Sequence, residues 1–131
     1  MSDPNAILLF LCYFGVSILL FAAFLAAHTL VTHIHEWDLI RAGNTAAALS
    51  LGGAMIGFAL PLASAVNHSA GLADMVVTAV VASAVQLLCF VAMRLLRRDA
   101  SAALVRGDMA EGILLAAVSV VLGMLNAACL G

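Results

Sequence analysis

The chain has 131 residues, 66% of them hydrophobic and only 9% charged, with a mean hydropathy of +1.20. Soluble domains carry about a quarter of their residues as charges, so this composition excludes that class and leaves an integral membrane protein. The five basic residues are all arginine, and a net charge of −2 excludes a general nucleic-acid-binding surface.

Four windows are long, apolar and free of Asp, Glu, Lys and Arg: residues 6–32, 46–66, 75–93 and 113–130. Each is close to the roughly 20 residues that cross about 30 Å of hydrocarbon as a helix. The first is expected to be a mature span and not a secretory signal, since Asp3 and Pro4 stand where a basic start belongs and the apolar run far exceeds an h-region of about 7–15 residues. The expected fold is an all-α, four-span membrane domain over residues 1–131.

The arginines set the expected orientation, because cytoplasmic loops retain basic residues and translocated loops shed them. Arg41 lies between spans one and two, while Arg94, Arg97, Arg98 and Arg106 lie between or at the borders of spans three and four. In a bacterial inner membrane this places both termini and the turn at 67–74 in the periplasm.

Between the first two spans runs HIHEWDLIRAGN, residues 33–44. Continued straight, the helix would project roughly 15 Å past Thr32, yet span two begins at Ala46 and needs nearly all its length to cross. The segment is therefore expected to lie on the membrane surface. Leu30, Ile34, Trp37 and Ile40 or Arg41 recur at helical spacing, with His33, His35, Glu36 and Asp38 toward water. Trp37 suits the headgroup layer. The metal-site alternative, with His35 and Asp38 or His33 and Glu36 as ligands, matches no established zinc spacing and falls short of three ligands. Residues 95–105 are read the same way as the surface segment, with Leu96, Ala100, Ala103 and Leu104 inward.

The two polar segments resemble each other at an offset of 64: RAGNTAAAL in the first and VRGDMAEGI in the second. Gly43 matches Gly107 and Asn44 matches Asp108, the pattern of a left-handed helix end followed by the cap of the next helix. Asp108 with Glu111 resembles a capping box. The expectation is two repeated hairpins, residues 1–66 and 67–131, related by a pseudo-two-fold along the membrane normal.

Within the windows the polar residues are few. Gln86 lies mid-span, with Ser17, Ser83 and Ser119 at similar depth, Asn126 nearer the periplasm and His28 nearer the cytoplasm. Gln86 carries donors and an acceptor that lipid leaves unsatisfied, so it must face another helix or a wet cavity. Gly53 and Gly57 form a GxxxG pair on span two, and Ser119, Gly123 and Ala127 form a similar ridge on span four. Small residues so spaced let membrane helices approach closely and point to homo-oligomerisation as well as internal packing. Pro61, with Gly57 four residues before it, predicts a bend in span two. Arg94, Arg97 and Arg98 share one side of a helix and, with Trp37, are read as interfacial anchors that meet membrane lipid headgroups. Cys12, Cys89 and Cys129 form no metal spacing and are expected to be buried small apolar residues.

The segment EWDLIRAGNTAAALSLGGAMIGFALPLAS, residues 36–64, together with NHS at 67–69 and GILLAAVSVVLGMLNAA near the end, resembles the YjfL-like inner-membrane proteins. That family is catalogued as a domain of unknown function, number 350. The likeness covers essentially the whole chain. It implies a small four-span inner-membrane fold and no established activity.

Two functional readings follow. The first is a membrane scaffold or accessory subunit whose cytoplasmic segments dock a soluble or membrane partner. The other is an oligomeric ion channel or permeability factor lined by Gln86 and the span serines. An enzyme is not expected, because the sequence pairs no nucleophile with a base and carries no cofactor motif.

Overall fold

The structure is a computed structural model that describes residues 3–32, 36–96 and 99–130, with the side chains of these apart from 31, 32, 36, 94, 100 and 101. Its helices are α1 (Pro4–Thr32), α2 (Glu36–Arg41), α3 (Thr45–His68), α4 (Leu72–Leu96), α5 (Ala100–Val105) and α6 (Met109–Leu130). The four long helices are apolar and long enough to cross a membrane. The fold is all-α, as the four windows require, but the helices outrun those windows. Asp74 falls in the first turn of α4 and Glu111 in that of α6.

Two short helices turn the chain at one end of the bundle, and both finish identically. The amide of Gly43 donates to the Ile40 carbonyl and that of Asn44 to Leu39, while Gly107 donates to Leu104 and Asp108 to Ala103. These are the paired closing bonds of a Schellman motif, which requires a left-handed residue just past the helix. Gly43 and Gly107 supply it, at φ 88° and 80°. Asn44 then caps α3, its side chain accepting from the Ala47 amide at 3.1 Å. Asp108 accepts from the Glu111 amide at 3.3 Å.

α3 and α6 form the centre of the bundle and pack on each other more extensively than any other pair. They run parallel, since Ala46 meets Gly112, Gly53 meets Ala116, and Gly57 meets Ser119 and Gly123 in ascending order. A methyl group on any of these glycines would fall inside the partner's backbone; at Gly112 it would lie 2.6 Å from the Ala46 carbonyl oxygen. Lipid tails are as apolar as the helix surfaces, so association rests on such contact and on hydrogen bonds rather than on the hydrophobic effect.

α4 lies antiparallel across α3 and α6. α1 rests on α3 and α4, and almost none of its span is buried. It is held by rings: Phe24 stacks on Phe58 with centroids 4.2 Å apart, and His28 meets Phe90 edge-on at 4.4 Å. The main cluster joins Phe24, Phe58, Leu62, Ala65, Met75 and Ala79. A smaller one, Ala46, Leu104 and Leu115, lies where α5 covers the end of α3 and α6.

Several expectations are corrected here. Leu96 is one of the most exposed side chains and belongs to the end of α4, because that helix runs on past span three. Ala103 and Leu104 do point inward. Cys12 and Cys129 are exposed rather than buried, and all three cysteines are free. The metal reading of the first polar segment rests on His33 and His35, which lie outside the described residues; among the described residues no three His, Cys, Asp or Glu side chains converge.

Candidate functional site

The polar residues of the spans divide into three groups. Ser17 donates to the Tyr13 carbonyl at 2.7 Å and Ser83 to Ala79 at 2.8 Å, each within its own helix. A serine bonded back to residue i−4 is satisfied in hydrocarbon without a neighbour. Asn126 on α6 donates to the Ala82 carbonyl of α4 at 3.0 Å, a bond between helices.

Gln86, His28 and Ser119 form the third group and meet at one place. Gln86 is 5% exposed, and its Nε2 donates to the Ser119 carbonyl at 3.2 Å. Gly57 makes room for this bond, since a Cβ there would stand 3.0 Å from Gln86 Nε2. The other end of the amide, Gln86 Oε1, is buried and accepts no hydrogen bond from any described residue. A small cavity opens beside it where α1, α3, α4 and α6 meet, lined by Phe24, His28, Ala54, Phe90, Ser119 and Leu122 as well as Gln86. His28 is 1% exposed, between the rings of Phe24 and Phe90.

Local sequence does not reveal the interhelical bonds of Asn44 and Ser64. Beyond its cap, Asn44 Nδ2 donates to the Leu104 carbonyl at 2.7 Å, tying α3 to the end of α5. Ser64 donates to the Ala127 carbonyl at 3.2 Å, from α3 to α6. Glu111, read as a cap residue, is buried. At the opposite end a polar pocket of about 130 Å³ lies among Ser64, His68, Ser69, Asp74 and Thr78. The expected anchors are placed unevenly. Trp37 is half exposed on α2, Arg94 lies near the end of α4, and Arg97 and Arg98 fall outside the described residues.

A family model described as Domain of Unknown Function (DUF350) matches residues 2–130. The chain belongs to this family. It is 30% identical over 126 residues to the UPF0719 inner membrane protein YjfL of Escherichia coli strain K12, covering 96% of each chain. The protein of that name from Escherichia coli O157:H7 matches at the same identity and coverage. No solved structure matches significantly. With its four apolar helices, this DUF350 chain is a multi-pass inner-membrane protein.

Proposed function

We propose that this DUF350 protein is a scaffold or accessory subunit of the bacterial inner membrane, with both termini in the periplasm and α2 and α5 facing the cytoplasm. The supporting observation is how the polar groups of the spans are used. Gln86, Asn126 and Ser64 each donate to a backbone carbonyl of a neighbouring helix, and all three bonds hold α6 in place. Interhelical hydrogen bonds of this kind are worth roughly 0.6–2 kcal/mol each. The backbones of α3 and α6 meet at Gly57 and Gly123, which closes the centre of the protomer. A rigid bundle of this kind presents α2 and α5, with Trp37, Arg41 and Arg106, as a docking platform.

The repeated-hairpin reading is supported by the matching closing bonds after α2 and α5 and by the parallel run of α3 and α6. One observation favours the channel alternative: Gln86, His28 and Ser119 line a common cavity. Ion flux through protein reconstituted in liposomes separates the two, with the Gln86→Leu variant measured alongside. The scaffold reading expects no flux above empty liposomes from folded, inserted protein. It also expects crosslinks in cells from position 37 to one defined partner, lost in Arg106→Glu. Flux that Gln86→Leu alters while assembly survives overturns it in favour of an oligomeric channel.

A further inference from the structure

The buried Gln86 carbonyl raises a separate question. An amide oxygen in hydrocarbon without a donor forfeits the hydrogen bonds it would make in water. Gln86 Oε1 is in that position with respect to the described residues, although the side chain is 95% buried and its Nε2 is engaged. The cavity beside it has about 10 Å³ of space for the centre of a water-sized sphere. A single water requires about 10–15 Å³ on that measure, together with two to four polar neighbours. Gln86, His28 and Ser119 are the polar members of the lining, and Phe24, Phe90, Ala54 and Leu122 form the rest. The volume is too small for a larger polar solute.

We infer that the junction of α1, α3, α4 and α6 is a binding site for one water molecule, anchored as a donor to Gln86 Oε1. A dehydrated cation is the competing occupant, since the aromatic rings and an amide oxygen could receive one. It is disfavoured because the lining contains no carboxylate to offset the cost of desolvation. The water lies where α1 meets α4 and α6, in a cavity that the three helices line through His28, Gln86 and Ser119. This holds whether the bundle docks a partner or assembles around a pore, so its test is independent of the flux experiment.

Gln86 is the only glutamine in the chain and Trp37 the only tryptophan, so residue-selective isotope labels report each without ambiguity. Magnetisation transfer from water protons is measured by solid-state NMR in vesicles of phosphatidylethanolamine and phosphatidylglycerol, with the half-exposed Trp37 as reference. Transfer to the Gln86 side chain is expected, building up later than transfer to Trp37. Ala54→Val fills the cavity and is expected to abolish the Gln86 signal while leaving that of Trp37 unchanged; Leu122→Phe serves if Ala54→Val fails to assemble. Absence of transfer to Gln86 in the unmodified protein overturns the proposal. Build-up as fast as at Trp37 also overturns it by revealing an open wet path, and so does a Gln86 signal that survives the cavity-filling substitution.

Discussion

Gly123→Ala tests whether the contact between α3 and α6 holds the bundle together. The added Cβ would collide with the Gly57 carbonyl oxygen and stand 2.6 Å from the Gly57 carbonyl carbon. Ordinary contact begins at 3.4 Å, so relieving the carbon contact alone requires the helices to separate by about 0.8 Å, and the closer oxygen requires more. The obstacle is backbone and cannot rotate away as a side chain would. Overpacking of this kind costs about 1–3 kcal/mol, and each lost Cα–H···O contact adds roughly 0.5–1 kcal/mol. The natural control is Gly52→Ala on α3, where a Cβ meets nothing within 4 Å. Both substitutions gain up to about 1 kcal/mol of helix propensity, so that contribution cancels and the difference between them reports the clash and the lost contact. Reversible unfolding in mixed micelles should therefore separate the two variants by about 2–4 kcal/mol. The double variant Gly57→Ala with Gly123→Ala should cost less than the sum of its parts, because one separation of the helices relieves both clashes. If Gly123→Ala proved as stable as Gly52→Ala, the reasoning from close approach would be refuted.

Three further predictions concern other features. Asn44→Asp keeps an acceptor for the Ala47 amide but loses the donor to Leu104; a loss of about 1–2 kcal/mol is expected, larger than for the reverse change, Asp108→Asn, when both are measured by the same unfolding assay. Phe58→Ala leaves a cavity beside Phe24 and Phe21. Its cost is expected to be about half the roughly 3–5 kcal/mol of a soluble core, because the ring stays in hydrocarbon on unfolding and only the packing part is lost; an unchanged midpoint would show that α1 is not held by its rings. For orientation, cysteines placed at Ser69 and Ser101 in a background without native cysteines should react with impermeant maleimide from the periplasmic and cytoplasmic sides respectively, and the reverse pattern would falsify the assigned topology.

The spans were legible because apolar length is a property of sequence alone. The glycine ridge was legible as a pattern too, although the pattern could not say which helix it meets. The structure pairs Gly53 with Ala116 and Gly57 with Gly123, residues on a parallel helix more than sixty positions away. Gln86 was recognisable as a buried amide in need of a partner, yet its partner is a backbone carbonyl, and every residue in a sequence has one of those. Asn44 shows the same limit. Its cap follows from local sequence, but its second bond to Leu104 depends on where α5 comes to lie. Leu96 was misplaced because hydropathy marks where a span can end, and the helix itself continued.

The pairing of α3 with α6 has a consequence for how the protein is made. Asn44 must wait for a carbonyl 60 residues further along the chain. At about 5–20 residues per second, that is roughly 3–12 s of synthesis. Throughout that interval α3 lies in the bilayer with its glycine-lined surface facing lipid, and its mate α6 leaves the ribosome only after α4 and α5. Biogenesis is therefore a matter of timing: a product that stops before α6 contains three inserted helices without the partner that brings them together. Membrane proteases should recognise such a fragment by the helices' failure to associate, even though each has crossed the membrane correctly.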